Sequence, residues 1–202
     1  MNQTRPKARL SRALGIALTP KCVKYLENRP YPPGQHGRGR KQTSDYKVRL
    51  LEKQRLRAQY NISESQLKRA FQAATKASGK TGEALIADLE SRLDALVLRS
   101  GFARTIYQAR QLVVHRHFTV NGRRVDRPAY RLRPGDVIEV PERSRTKPPF
   151  VIAAEGGWAG ERTAPYLEVN LGGLTARYLR QPAREEVPVI CNEQLVVEYY
   201  SR

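Results

Sequence analysis

Four polar side chains recur at helical spacing near the middle of the chain, and their chemistry suits contacts with anions. Arg104, Gln108, Gln111 and His115 follow one another at intervals of four, three and four residues. A helix places residues at these intervals on one face. Arginine and histidine donate hydrogen bonds to phosphate oxygens, and glutamine can donate to a phosphate or to a ribose hydroxyl. The stripe therefore predicts a surface that holds a polyanionic backbone; the alternative interpretation is an ordinary polar face turned to solvent.

Further donors extend this surface past the end of the helix. Arg110 lies within the same segment, Arg116 and His117 follow it, and Asn121 stands in a turn beyond. Donors on a helix and on the loop after it can hold a folded RNA backbone without reading base edges. We also expect Arg104 to lie in the first turn of the helix, where unpaired backbone N–H groups favour phosphate.

Residues that could support catalysis are few and poorly placed. The segment 79–81, Gly-Lys-Thr, matches the end of a phosphate-binding loop, but Ala74 stands where that motif needs glycine, and no strand precedes it. His115 and His117 offer two metal ligands, with no cysteine or carboxylate cluster nearby to complete a site. No paired carboxylates or activated serine stand out. We therefore predict no active site and no metal.

The positive charge of the chain is concentrated towards its amino-terminal end. The net charge is +18, and residues 1–80 carry 19 lysines and arginines against 4 acidic residues. Residues 81–147 carry 13 against 8, and residues 148–202 carry 5 against 7. Such a field attracts a polyanion, and neutralising its phosphates releases counterions, which drives binding. Solubility alone does not require so steep an asymmetry, and no segment has the basic and apolar faces that an anionic membrane would need.

Features that would direct the chain out of the cytoplasm are missing from the sequence. No apolar run approaches the ~20 residues that cross a bilayer, and residues 1–6 precede no apolar segment typical of a secretory signal. Cys22 and Cys191 stand far apart and suggest no disulfide framework. The expected location is the cytoplasm.

Residues 1–44 predict an extended basic arm without a core of its own. The segment holds few apolar residues to bury, so we expect it to become ordered only against a partner. Its part 29–38 combines stiff prolines, glycines that let the backbone approach phosphates, an aromatic ring and several donors. The residues of the arm expected to contact RNA are Arg5, Lys7, Arg9, Arg12, Tyr31, Gln35, His36, Arg38, Arg40 and Lys41.

From Asp45 the pattern becomes helical and remains basic. Tyr46 and Leu50 share one face of the first helix, and cationic side chains are spread around the rest. Ser63 followed by Gln66 predicts a capping box that opens a second helix. The residues of this region expected to bind RNA are Lys47, Arg49, Lys53, Arg55, Arg57 and Arg69.

Two further helices are predicted before the pattern changes. Leu85, Leu89, Leu93 and Leu96 recur at helical intervals and predict one amphipathic helix that ends near residue 100. A second helix, over residues 104–114, would bury its apolar side and carry the polar stripe on the other.

Strand signals begin at residue 118. The Asn121-Gly122 pair predicts a β-hairpin between residues 118–120 and 123–125, because it supplies the positive φ values of a tight turn. Further strands are predicted over residues 130–132, 137–140, 167–171, 174–179 and 195–200, with a long connection over residues 141–165. Helices followed by strands place the chain in the α+β class.

The central part of the sequence resembles a known RNA-binding module. Similarity to the S-four RNA-binding domain is carried by Arg92-Leu93-Asp94, by Gly101-Phe102-Ala103-Arg104-Thr105, by Ala109-Arg110-Gln111-Leu112-Val113 and by His115-Arg116-His117-Phe118-Thr119-Val120-Asn121-Gly122. The resemblance implies two helices packed on a small, mostly antiparallel sheet. This module also occurs in RNA-modifying enzymes, so by itself it does not fix the function.

The rest of the chain resembles the bacterial ribosomal S-four family. This resemblance is carried by residues 29–37, 52–57, 79–82 and 193–200. It implies an extended basic arm over residues 1–44 and a helical domain over 45–91, joined by the carboxy-terminal tail 191–202. It also implies an S-four domain over residues 92–190, with a carboxy-terminal sheet extension.

The family resemblance implies a structural constituent of the small ribosomal subunit. Its members are primary binders of 16S ribosomal RNA that dock on the five-way junction of the 5′ domain and start assembly. The implied partners are neighbouring proteins, especially protein S five and also protein S three, and messenger RNA near the channel through which it enters. Effects on decoding accuracy are implied too, as is a cytoplasmic location on the ribosome. Some members also repress translation of their own messenger.

One departure from the family concerns zinc. Some members hold zinc with four cysteines in the arm, beginning with a C-x-x-C motif. Ala8 and Ser11 occupy those two places here, and only Cys22 remains before Pro30. One thiol cannot form a structural zinc site, so we predict a zinc-free variant without a cofactor. The competing hypothesis is an RNA-modifying enzyme, for which neither end of the chain supplies a catalytic constellation.

Overall fold

A computed structural model describes residues 6–39, 43–158 and 164–201. This part of the chain contains ten α-helices: α1 Lys7–Leu14, α2 Pro20–Asn28, α3 Asp45–Gln59, α4 Glu64–Ala74, α5 Thr81–Glu90, α6 Leu93–Arg99, α7 Ile106–Val114, α8 Glu142–Arg145, α9 Pro148–Ala154 and α10 Glu193–Tyr200. It also contains five β-strands: β1 Thr119–Val120, β2 Arg123–Arg124, β3 Val137–Glu139, β4 Leu167–Asn170 and β5 Thr175–Tyr178. Among the described helices, none has the length and apolar character needed to cross a membrane.

The chain forms two compact units. The first is built from the described residues up to 82 together with those from 189 onward, and the second from those of residues 83–188. The first unit contains helices and, among its described residues, no strand, whereas the second combines helices with one sheet. The α+β class predicted from the sequence is confirmed.

Helix α3 is the central element of the first unit. Helices α1 and α10 pack against it, and α10 also contacts α4. The predicted capping box of α4 is confirmed, because the Ser63 hydroxyl accepts a hydrogen bond from the Gln66 N–H at 3.3 Å. In return the Gln66 side chain accepts one from the Ser63 N–H at 3.1 Å. Two donors that a helix start leaves unpaired are thereby satisfied.

The prediction of an extended arm without a core is wrong for residues 7–28. Helices α1 and α2 pack on each other, and Leu14 lies in a small buried cluster with Ile16 and with Ala58 of α3. Leu10 packs against the same cluster. The apolar residues of the arm are few, but they fall on one side of α1, and α3 covers them. Residues 29–39 contain neither helix nor strand.

The tail predicted as a strand over residues 195–200 is the helix α10. Its β-branched and aromatic side chains favour a strand, but Asn192 caps a helix by accepting hydrogen bonds from two N–H groups at 3.0 and 3.3 Å. Val196 is fully buried, and Tyr200 stacks on Phe71 of α4 with ring centroids 4.9 Å apart. Packing on α3 and α4 therefore outweighs the local propensity.

An antiparallel sheet with the strand order β2-β1-β3-β5-β4 organises the second unit. Buried residues of the sheet, such as Ile138 and Ala176, share one core with the apolar sides of α6 and α7. The predicted hairpin is confirmed, because β1 pairs with β2 across a turn in which Asn121 and Gly122 have φ values of 49° and 77°.

The single helix predicted over residues 85–100 is divided into α5 and α6. The division falls at Arg92, which pairs with Arg131 in an isolated antiparallel bridge. The strand predicted over residues 130–132 is reduced to this bridge. A pairing between distant residues therefore interrupts a helix that the leucine spacing alone would continue.

The connection predicted over residues 141–165 contains the short helices α8 and α9. Pro148 lies in the first turn of α9. Proline is tolerated there because an N–H group at that position would have no partner within the helix. Phe150 and Ala153 of α9 are fully buried in the core of the second unit. The prolines of this segment therefore mark the start of a helix.

Candidate nucleic-acid interface

The amino-terminal end of α7 is closed by its own side chains. The helix begins at Ile106, so Arg104 precedes it and does not lie in its first turn as predicted. Thr105 caps the helix, because its hydroxyl accepts a hydrogen bond from the Gln108 N–H at 3.2 Å. The Gln108 side chain accepts a further bond from the Arg104 N–H at 2.8 Å. Gln108 therefore fixes the backbone that presents Arg104.

The remaining members of the predicted stripe are accessible. Arg104, Gln111 and His115 are exposed. The Arg104 guanidinium lies over the Trp158 ring, with 5.6 Å between Cζ and the ring centroid. It donates to no acceptor in the described part of the chain. This surface offers donors that its own unit does not use.

His117 links the end of α7 to α8 and α9. Its Nδ1 lies 3.0 Å from the Ser144 hydroxyl, and its Nε2 lies 3.4 Å from the Lys147 ammonium. An ammonium can only donate, whereas a hydroxyl can also accept, so a neutral imidazole with its proton on Nδ1 suits both neighbours. Burial lowers the pKa of His117, and nearby positive charges, first that of Lys147, lower it further. His117 therefore supports the fold in its neutral form.

Acid is expected to weaken the fold through His117. Because its pKa is lowered, His117 takes up the proton that charges the imidazole less readily in the folded chain than in the unfolded chain. The unfolded state therefore binds more protons as the pH falls below the ordinary histidine pKa of ~6.5. The free energy of unfolding should therefore fall between about pH 7 and pH 5. The variant H117Q, which does not titrate, should lose this part of the dependence in urea unfolding. H36Q is the matched control, because His36 is exposed and is not among the charges that act on His117, and it should follow the unmodified chain; an unchanged slope in H117Q would contradict the assignment.

The hairpin presents two arginines that a neighbouring asparagine helps to position. The Asn121 side-chain amide donates to Asp136 at 2.8 Å, and its oxygen accepts from the Val137 N–H at 2.9 Å. Arg123 and Arg124 lie beside it on the edge strand β2 and are exposed. The accessible donors of the hairpin are thus the two arginines, and Asn121 holds the turn.

Two other arginines of the predicted interface have acidic partners. Arg110 is partly buried and faces Asp94 at 3.5 Å. Asp94 also receives two hydrogen bonds from buried Arg92, at 2.8 and 2.7 Å. Arg116, which has a positive φ of 63°, pairs with Asp126 at 3.0 Å and remains largely exposed. Arg110 therefore contributes to a buried ion-pair cluster of the fold, whereas Arg116 forms a weak ion pair at the surface.

Arg12 organises the loop that follows α2. Its Nε donates to the carbonyl oxygens of Arg29 and Tyr31 at 3.2 and 3.1 Å, and its Nη2 donates to that of Pro32 at 3.5 Å. Its guanidinium also lies 4.9 Å from the centroid of the Tyr31 ring. Arg12 is engaged with its own chain and shapes the loop.

Arg38 contacts the same tyrosine from further along the loop. Its Cζ lies 4.7 Å from the centroid of the Tyr31 ring, and its Nη2 donates to the Tyr31 hydroxyl at 3.1 Å. This hydrogen bond lowers the pKa of Tyr31. Gly37 is buried, and a Cβ there would lie 2.0 Å from a backbone carbonyl oxygen. The tight turn leaves Gln35 and His36 exposed.

Most cations of α3 hold the first unit together. Lys53 is buried; its ammonium donates to Glu64 at 2.9 Å and lies 4.3 Å from the centroid of the Tyr199 ring. Three arginines are only partly accessible and have internal partners: Arg49 with Glu198, Arg55 with Glu52 and the Leu14 carbonyl, and Arg57 with Glu64. Lys53 in particular is enclosed by protein, so its ammonium is not accessible to a phosphate.

Besides Gln35, His36 and Arg38, the exposed predicted donors of the first unit are Arg9, Lys47 and Arg69. Lys7 is partly buried, and burial lowers its pKa. Arg5, Arg40 and Lys41, also predicted to bind RNA, lie outside the described residues.

Arg143, Lys147 and Trp158 were not predicted from the sequence, although all three lie near α7 or His117. They belong to the segment that was expected to be a long connection. Its missed signal is the pair Pro148-Pro149, because proline is typical of the first turn of a helix. Recognising α9 would have placed Lys147 at its start.

The structure offers no cluster of metal ligands within residues 6–39, 43–158 and 164–201. No three histidines, cysteines or carboxylates of this part are grouped to hold an ion. Both nitrogens of His117 have other neighbours, as described above. The predicted absence of zinc stays a prediction.

The second unit has the architecture of a class of RNA-binding domain. The sequence model of the S4 domain matches residues 91–138, a range that includes α6, α7 and the hairpin. The model of the ribosomal protein S4/S9 N-terminal domain matches residues 2–90. The two matches adjoin and together cover more than half of the chain.

Curated relatives are similar along the full length. Small ribosomal subunit protein uS4 of Streptomyces griseus is 68% identical over 202 residues, which are 100% of this chain and 99% of the relative. The protein of the same name from Paenarthrobacter aurescens is 62% identical over 204 residues, again 100% of this chain and 99% of the relative. The chain belongs to the uS4 family of small ribosomal subunit proteins.

Proposed function

We propose that this chain is a structural protein of the small ribosomal subunit that binds ribosomal RNA, and not an enzyme. One observation carries the proposal: both units expose arginines or lysines that have no acidic partner among the described residues. On the second unit these are Arg104, Arg123 and Arg124, and on the first they are Arg9 and Lys47. Family membership along the whole chain supports the same function.

We further propose that the RNA is the five-way junction in the 5′ domain of 16S RNA. Phosphate contacts position a protein without reading sequence, so selectivity would come from the shape of the junction. The proposed contacts are Arg9, Gln35, His36, Arg38, Lys47, Arg69, Arg104, Gln111, His115, Arg116, Arg123 and Arg124. The residues proposed to position them are Arg12, Tyr31, Gln108, His117 and Asn121.

Binding at this junction would give the chain its place in assembly. We propose that it nucleates folding of the 5′ domain, contacts protein S five and protein S three, and lies near the channel through which messenger RNA enters. A contribution to decoding accuracy would follow from that location. The ribosome of a bacterium is cytoplasmic, and so would be this chain. Repression of its own messenger stays a prediction.

Footprinting on isolated 16S RNA tests the proposed target. Hydroxyl-radical protection is expected to centre on the five-way junction, and to weaken there as salt rises because phosphate contacts dominate. Protection spread evenly along the RNA would show that the chain binds RNA only non-specifically, through its positive charge. No protection in dilute buffer would reject the function.

Arg104→Glu is expected to weaken binding to the folded junction by about 1.5 kcal/mol or more, roughly tenfold in Kd, because a charged hydrogen bond to phosphate becomes a repulsion. A gel-shift titration measures the change. Arg177→Glu is the matched control, because Arg177 is an exposed residue of β5. Its neighbours Ala176 and Tyr178 are buried on the side of the sheet that packs on α7, so the Arg177 side chain lies on the opposite side. If both variants raise Kd equally, the loss of affinity follows from the change in net charge, which would contradict the assigned role of Arg104.

A further inference from the structure

An arginine and the only tryptophan of the chain meet beside the start of α7. The chain contains one tryptophan, and the Arg104 Cζ lies 5.6 Å from the centroid of its ring. A guanidinium at this distance is attracted to the negative face of the ring. This contact is the starting point for a role of Trp158 in RNA binding.

Trp158 is held from the side of α9. Its Nε1 donates to the carbonyl oxygen of Pro149 at 3.2 Å. Its ring packs against the buried core of the second unit and is only partly exposed. The position of the indole is therefore set by the fold.

Arg104 has no comparable anchor for its charged group. Its backbone is fixed by the hydrogen bond from its N–H to the Gln108 side chain. Its side chain is exposed, and no carboxylate or carbonyl of the described residues accepts from it. Within the part of the chain that the structure describes, the Trp158 ring is therefore the contact that restricts where the guanidinium lies.

We infer that Trp158 is a positioning residue, which holds the Arg104 guanidinium ready for a phosphate of the RNA. Contact with an aromatic face leaves the in-plane N–H groups of a guanidinium free, and those groups match a phosphate in a bidentate way. A side chain ordered before binding loses less conformational entropy when the RNA arrives. This inference rests on the proposed function and adds a residue that neither the sequence pattern nor the family resemblance singled out.

The test is a double-mutant cycle on the full chain with the folded junction RNA. W158L keeps an apolar side chain but removes the ring, and it should raise Kd about two- to fivefold, the size of an exposed cation–π contact. W158F keeps an aromatic face and should recover most of the loss. In the R104Q background, W158L should cause no further change, because the group that it positions is gone.

The sole tryptophan also reports on the contact without RNA. In the free chain, R104Q should shift the emission of Trp158, whereas R177Q, which changes an exposed arginine of the same unit, should not. Adding junction RNA should change the emission of the unmodified chain more than that of R104Q. Thermal unfolding followed by circular dichroism checks that the variants remain folded.

Three results would overturn the inference. One is an unchanged Kd for W158L, and another is a loss of the same size with and without Arg104, which would show that Trp158 acts on the fold or on RNA directly. The third is an emission spectrum that R104Q leaves unaltered. Failure of the proposed function looks different, because the unmodified chain would then not bind the junction at all.

Discussion

Asp94→Asn is expected to lower the free energy of unfolding of the second unit by about 3–5 kcal/mol. The Arg92 side chain is 2% exposed and that of Asp94 is 0% exposed. If one of the two charges is removed, water therefore cannot reach the other to solvate it. Two hydrogen bonds of 2.8 and 2.7 Å join them. The amide of asparagine cannot neutralise the guanidinium, and a buried charge is left uncompensated.

The measurement is urea unfolding followed by the fluorescence of Trp158, which lies in the same unit. The matched control is Asp126→Asn, which breaks a pair whose side chains are 65% and 42% exposed and should cost about 0–1 kcal/mol. Replacing both members of the buried pair, R92M together with D94L, should cost less than Asp94→Asn alone, because neither fully buried charge remains and Arg110, which also faces Asp94, is partly exposed. A loss below about 1 kcal/mol for Asp94→Asn would show that Arg92 has another way to be satisfied.

Elements that depend on a few adjacent residues could be predicted from the sequence. The Asn121-Gly122 turn and the capping box of Ser63 and Gln66 are made by neighbours in the chain. A short pattern therefore contains the whole interaction, including the backbone conformation that it requires. These elements fall where they were predicted.

Elements that depend on distant partners could not be predicted in the same way. Residues 195–200 have strand propensity, and beyond the Asn192 cap it is packing on α3 and α4 that makes them a helix. The break at Arg92 requires Arg131, and α1 requires the apolar side of α3. In each case the deciding contact joins segments that a local pattern treats separately.

The same division applies to the candidate interface. Lys47 and Lys53 are both lysines of α3, and their charge gives no reason to separate them, although Lys53 follows Leu50 by three residues and falls on the same helix face. Lys47 is exposed, whereas Lys53 is buried beside Glu64 and Tyr199. The sequence thus predicts the sign of the surface, and packing decides which cations remain for RNA.

Raising monovalent salt from about 50 to 200 mM is expected to weaken binding to the junction RNA by about a thousandfold or more. Each lysine or arginine that neutralises a phosphate releases counterions, and that release becomes less favourable as salt increases. The exposed lysines and arginines proposed for the interface, eight in all, are Arg9, Arg38, Lys47, Arg69, Arg104, Arg116, Arg123 and Arg124. Six or more such contacts are enough for an effect of this size.

A triple variant distinguishes individual contacts from a diffuse field. Arg9→Gln, Lys47→Gln and Arg69→Gln together should reduce the slope of log K against log salt by about 2–3, since each phosphate contact contributes ~0.7–0.9. Lys68→Gln, Lys76→Gln and Arg177→Gln remove the same charge from exposed positions outside the proposed set and should leave the slope nearly unchanged. If both triple variants flatten the slope equally, RNA responds to the net charge of the chain and the proposed contacts have no special place in it. A slope near zero in the unmodified chain would mean that phosphates do not carry the binding, because no other contact depends on salt so steeply.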